Sequence, residues 1–209
     1  MTVLPVLEIE RIGWKNMARG RRVNSSGERS KQLLLDKAIE LFSTYGYHQT
    51  KISDIVKAAN LTQPTFYLYF QSKESLFNDL NEQFQQELME MFKVTNEYSV
   101  HMNLRTKILE NLKNIFAFFK KNPNLTKIGF YESSNAEQVK SELVKEMVSI
   151  LNNERGSFTV DSHILAESLL GSMERLTLNS LLTDRTEPDK LAEDIVDIYF
   201  VKEYEKTTV

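Results

Sequence analysis

The sequence predicts an all-α protein of about nine helices. Apolar residues recur close to every 3.6 positions along nearly the whole chain, only 7 Gly and 4 Pro interrupt 209 residues, and capping residues stand ahead of most apolar stripes. A chain of this length holds enough apolar material for a substantial core in one or two domains. At 41% hydrophobic and 26% charged residues, its composition is that of an ordinary globular protein.

The opening MTVLPVLEIERIGWKN has no clean period, and TVLPVL is too short and too broken by Pro5 for a signal peptide. Residues 1–28 are expected to be a flexible basic arm, in which Arg19, Arg21 and Arg22, with Arg29 just beyond, form either a minor-groove arm or a solvated tail. Met17 opens MARGRRVNSSGERS, so translation from Met17 is an alternative to Met1 that the mass of the native protein decides. A first helix from about Ser30 to Tyr45 carries Leu34, Ala38, Leu41 and Phe42 on one stripe and stops at Gly46. Thr50 is the expected N-cap of a second helix with Ile52, Ile55, Val56 and Ala59 inward, and Asn60 its left-handed stop. Thr62 caps a third helix, residues 63–70, and Ser72 caps a long one through Phe77, Leu80, Phe84, Leu88 and Met91 to near Tyr98.

Beyond it, a helix from about Leu104 to Lys121 ends at Asn122-Pro123, and shorter pieces are expected at 124–131 and 136–153. Asp161 caps a helix to about Leu182, and Pro188 lies in the first turn of a last one to about Lys202. The expected organisation is the arm, a DNA-binding domain over 29–75, and a second domain over 76–209.

Composition excludes several functions. With no Cys there is no disulfide, thiolate metal site or cysteine nucleophile, which agrees with a cytoplasmic location. No apolar run approaches the roughly 20 residues of a membrane-spanning helix, so no membrane partner is expected. His48, His101 and His163 lack metal-ligand spacing, and there is no Gly-rich phosphate loop or nucleophile motif. The expectation is therefore no enzyme, no metal and no cofactor. Net charge is −3, yet residues 1–80 hold 11 Lys/Arg against 8 Asp/Glu and the remainder 15 against 21, a front at +3 and a back at −6. Such polarity suits a chain that offers one end to a polyanion.

Two short helices joined by a turn of about three residues make a helix-turn-helix, whose second helix enters the major groove. In TQPTFYLYF (62–70), Phe66 and Phe70 share an inward face at spacing four, while the outer face carries no acid. Gln63 suits the donor and acceptor pair on adenine's edge, and Pro64, Thr65 or Leu68 a thymine methyl. Tyr67 and Tyr69 suit phosphate contact at the groove rim. Lys51, Ser53 and Lys73 add donors near helix N-termini, and the caps Thr50 and Thr62 complete the expected DNA-facing set.

The stretch LLDKAIELFSTYGYHQTKISDIVKAANLTQPTFYLYFQSKESLF resembles the DNA-binding domain of the TetR family of bacterial transcriptional repressors. The resemblance covers about a fifth of the chain. It rests on Ala38 to Phe42, Gly46-Tyr47, Thr50, Asp54-Ile55, Thr65-Phe66-Tyr67, Tyr69-Phe70, and Ser72-Lys73-Glu74 with Leu76; Lys37, Asn60 and Ser75 depart from the family's usual residues. It implies a nine-helix homodimer that reads palindromic double-stranded DNA through Gln63, Pro64, Thr65, Tyr67 and Tyr69, with Lys73 on a phosphate. It also implies an unknown small-molecule effector in the C-terminal domain that releases the DNA.

The expected effector-binding residues are Phe116, Phe119, Tyr131 and Met173, as apolar lining, and His101, Glu132, Arg175 and Asn179, as polar groups in apolar surroundings. The helix from Asp161 is apolar on two sides, Leu165, Leu169, Met173 and Leu176 on one and Leu170, Leu178, Leu181 and Leu182 on the other. With Leu191, Ile195 and Ile198 of the last helix it is expected to form a two-fold, four-helix dimer interface. The alternative is a ligand-independent architectural or interaction protein with the same reading head, distinguished by a C-terminal core without an internal void.

Overall fold

In the computed structural model, which describes residues 25–99, 101–153 and 158–200, the described residues form nine helical segments and no strand. They are α1 (Ser25–Tyr45), α2 (Ile52–Ala58), α3 (Gln63–Tyr67), α4 (Lys73–Tyr98), α5 (Leu104–Lys121), α6 (Pro123–Lys127), α7 (Ala136–Asn153), α8 (Ser162–Leu176) and α9 (Pro188–Tyr199). α6 and α8 each run on into a π-helical turn, Ile128–Glu132 and Thr177–Leu181. The expected arm with Arg19, Arg21 and Arg22 lies outside the described residues up to residue 24. α1 begins at Ser25, inside the expected arm.

Packing divides the chain into two units. The first holds the described residues up to Glu87 together with Asn124–Glu137; the second holds Leu88–Pro123 and the described residues from Gln138 onward. This division does not fall at the expected boundary after Ser75. The buried stripe of α4, Leu76, Leu80, Phe84 and Leu88, continues unbroken past that point, so the first half of α4 packs as part of the first unit.

In the first unit, Leu34, Ala38, Phe42, Ile55, Val56, Phe66, Phe70, Leu76 and Leu80 are buried. The rings of Phe42, Tyr47 and Phe77 meet at centroid separations of 4.6–5.5 Å. Gly129, in the π turn after α6, lies so close to Phe84 that a Cβ there would come within 2.4 Å of the ring.

In the second unit α9 lies along α5, and Leu191, Ala192, Ile195 and Val196 of α9 and Leu104, Ile108, Leu112 and Ile115 of α5 are buried. Arg105 pairs with Asp197, and Lys113 with Glu193 at 3.6 Å, along the edge of this contact. Tyr199 ties α9 to α8: its hydroxyl donates to the Ser168 carbonyl at 3.1 Å and shares a 2.8 Å bond with the Ser172 hydroxyl. α8 turns to π geometry at its end, where the Leu182 N–H donates to the Thr177 carbonyl at 2.9 Å, and the Lys120 ammonium holds the Leu181 carbonyl at 3.0 Å and pairs with Asp184. The extra residue in such a turn shifts every later side chain around the helix. Of the side expected to carry Leu170, Leu178, Leu181 and Leu182, Leu170 and Leu181 are buried, while Leu178 is exposed.

Candidate nucleic-acid interface

The turn between α2 and α3 is a Schellman motif. Asn60 takes φ 54°, its N–H donates to the Lys57 carbonyl at 3.1 Å, and the Leu61 N–H donates to the Val56 carbonyl at 2.8 Å. Asn tolerates this conformation because its short amide costs little there. Thr62 then starts α3 in extended geometry with Pro64 in the first turn, as expected; its hydroxyl bonds the Thr65 hydroxyl at 2.9 Å.

The N-cap of α2 is Lys51, a correction to Thr50. The Asp54 carboxylate accepts from the Lys51 N–H at 2.9 Å and so satisfies the start of the helix from three residues downstream. Thr50 is instead 3% exposed, with its hydroxyl donating to the Gly46 and Leu41 carbonyls at 3.0 and 3.3 Å. Its side chain is turned into the head.

Lys73 also bonds within the head. Its ammonium donates to the Tyr47 carbonyl at 2.7 Å and the Thr50 carbonyl at 2.8 Å and lies 4.2 Å from the centre of the Tyr47 ring. It staples the start of α4 to the loop before α2. Burial, and then the Glu74 carboxylate, raise the Tyr47 phenol above its ordinary pKa, so the ring under the ammonium stays neutral. Ser72 caps α4 as expected, accepting from the Ser75 N–H at 3.0 Å, and Ser75 returns the bond from the Ser72 N–H at 3.1 Å. The departure at Ser75 thus keeps the reciprocal cap.

Most of the remaining expected contacts are presented outward. Lys51, Ser53, Thr62, Gln63 and Pro64 are exposed, Tyr67 and Leu68 are 56% and 77% exposed, and Thr65 is half-buried. Tyr69 is half-buried, with its hydroxyl toward Gly27, where an added Cβ would lie 3.4 Å away. Beneath them Phe66 and Phe70 are buried, their rings 5.4 Å apart. A five-residue helix is too short to hold itself. These two rings seat it, so the side chains on the opposite side face away from the head.

The eight expected effector-binding residues differ in burial and are divided between the two units. Phe116, Phe119 and Met173 are fully buried, while His101, Glu132, Arg175 and Asn179 are exposed. Asn179 donates to the Arg175 carbonyl at 2.7 Å. Tyr131 is half-buried and packs edge-on against Phe130; it and Glu132 belong to the first unit, the other six to the second. A cavity in the second unit, about 10 Å³, is lined by other residues: Phe92, Ile108, Asn111, Leu112, Ile115, Met147 and Leu169. That is room for about one water. Asn111 is 3% exposed, its amide donates to Asn96 and to the Lys107 carbonyl at 2.9 Å each, and its oxygen has no partner. Sequence reasoning missed Asn111, although the signal was there: a polar residue set between Ile108 and Ile115 on an inward stripe.

A reading helix seated on a three-helix head, with its polar and apolar side chains turned outward, defines the class: a helix-turn-helix transcriptional regulator. Residues 34–80 match the family model for "Bacterial regulatory proteins, tetR family". The chain is 36% identical over 185 residues to the "Uncharacterized HTH-type transcriptional regulator YdgC" of Bacillus subtilis (strain 168), covering 84% of this chain and 93% of that one. It is 26% identical over 130 residues to the "Probable acrEF/envCD operon repressor" of Escherichia coli (strain K12), 60% of this chain and 59% of the other. Its fold is similar to that of a TetR-like transcriptional regulator from Rhodococcus sp. RHA1, with a TM-score of 0.72 at 20% identity over 86% of this chain and 96% of that one. The chain belongs to the tetR family of bacterial regulatory proteins.

Proposed function

We propose that the protein is a cytoplasmic, homodimeric repressor that reads palindromic operator DNA with α3 and is released by a small-molecule effector held in the second unit. The observation that carries the DNA reading is the division of α3, Phe66 buried beneath and Gln63, Pro64, Tyr67 and Leu68 presented. Lys51 and Lys57, exposed on α2, supply cations for the flanking phosphates. Footprinting on DNA upstream of the protein's own gene tests the reading: a protected palindrome with half-sites about 34 Å apart is expected. No protected site would overturn it.

The dimer reading is supported by α8. Ile164, Ser168, Gly171, Arg175 and Leu178 are all exposed at alternating spacings of four and three, and a Cβ on Gly171 would meet nothing within 4 Å. That is the seam a second helix needs, and Ile198 on α9 is 73% exposed. Leu191 and Ile195, expected at the interface, pack inside the chain instead. Gly171→Arg is expected to give a monomer by sedimentation that no longer holds the palindrome.

For the effector, Asn111 beside an apolar cavity is the best supported site, and effector binding would have to enlarge it. Release then follows from a difference in affinity between two conformations. The small size of the cavity favours the second reading, a ligand-independent regulator. A small-molecule extract of the source cells decides: release of operator DNA that Asn111→Leu abolishes supports the effector, and binding unchanged by the extract supports the second reading.

A further inference from the structure

The face that α3 presents has an uncommon chemistry for a DNA reader. Between Lys57 and Lys73 the chain carries no charged side chain. Pro64, Tyr67 and Leu68 stand at i, i+3 and i+4, one stripe of the helix. All three are exposed, and among the described residues Leu68 is the most exposed of the large apolar side chains at 77%. The backbone of Leu68 stays helical at φ −71° and ψ −23°, so its side chain continues that stripe.

A reader with no cation on this face cannot make the bidentate Arg or Lys contact to guanine O6 and N7. What it offers is one amide, Gln63, for adenine, and an apolar ridge. In the major groove the one apolar group on a base edge is the C5 methyl of thymine. An exposed ridge this apolar loses more by staying in water than by covering such methyls.

From this we infer that the protein reads C5 methyl groups, with Leu68 as the specificity-determining residue and Pro64 and Tyr67 flanking it. The inference rests on the proposed docking of α3 in the major groove. The operator half-site holds A·T pairs where this ridge lands, and the protein distinguishes thymine from uracil there, a difference of one methyl with the hydrogen-bonding groups unchanged. Removing one covered methyl weakens binding about fourfold, the worth of one buried methyl.

The test uses the full chain and the duplex it enriches from a randomised pool, resynthesised with deoxyuridine in place of one thymine at a time. At one or two positions in each half-site an about fourfold loss is expected, and Leu68→Ala is expected to weaken binding of the thymine duplex and equalise it with the uracil duplex. Gln63→Ala should weaken both duplexes alike and keep their ratio. Leu68 is exposed and supports no core, so its replacement leaves the fold intact. Equal binding of thymine and uracil duplexes by the unchanged protein, or discrimination that survives Leu68→Ala, overturns methyl reading while leaving α3 as the DNA reader. If the pool yields no enriched sequence, the docking of α3 falls and the inference with it.

Discussion

The three-helix head and the second unit differ at particular polar groups, although Asn81, on α4 of the first unit, is also buried with its amide unpartnered and the buried Thr95 hydroxyl of the second unit donates to the Met91 carbonyl at 2.8 Å. In the head the Thr50 hydroxyl and the Lys73 ammonium are each matched to two backbone carbonyls, and the turn at Asn60 closes with both of its hydrogen bonds made. In the second unit the Asn111 oxygen and the hydroxyl of Thr177, fully buried in the π turn after α8, have no partner. Satisfied polar groups fix one geometry, as a reader of base edges requires. Unsatisfied ones raise the energy of the state they occupy and lower the cost of leaving it.

The comparison breaks most visibly at Lys73. Lys73→Met removes two charge-assisted hydrogen bonds and the contact with the Tyr47 ring, and is expected to destabilise the protein by about 3 kcal/mol in urea denaturation. A loss confined to DNA affinity, with stability unchanged, would assign Lys73 to the phosphate. Next is Gly129→Ala. The added methyl would meet the Phe84 ring at 2.4 Å, and a cost of about 2 kcal/mol is expected from overpacking, read in the same denaturation.

The sharpest test is one substitution made in both regions. Thr50→Val removes a hydroxyl bonded to the Gly46 and Leu41 carbonyls and should destabilise by about 1 kcal/mol. Thr177→Val removes a buried hydroxyl that has no partner, keeps the shape, and should stabilise by roughly 0.5–1 kcal/mol. Equal signs for the two, measured by thermal unfolding, would mean that the polar groups of the two regions are alike after all.

Much of the head was legible because its determinants are local. Gly46 and Asn60 take the left-handed conformation, at φ 84° and 54°, and Ser72 and Asp161 accept hydrogen bonds from N–H groups two or three residues further on. Each needs only neighbours within a few positions, and the pairing of Phe66 with Phe70 needs four. Thr50 was misread as a cap since Thr is a common N-cap, whereas its hydroxyl is claimed by a carbonyl nine residues back. The effector-binding set rests on a different kind of signal. Aromatic and Met side chains look the same whether they fill a core or line a cavity, and Phe116, Phe119 and Met173 fill the core.

The sequence by itself determined the class of fold, the helix-turn-helix, the split of α3 into a buried and a presented face, and the family, because periodicity, caps and turn chemistry act over a few residues. Only the tertiary structure decided that Lys73 closes the head through bonds spanning 23 and 26 residues, that Gly129 is fixed by Phe84, and that α6 and α8 end in π turns, which change the direction in which the next side chains point. Those are contacts between distant segments, and which groups meet is set by how the helices pack, a property no short window of the chain contains.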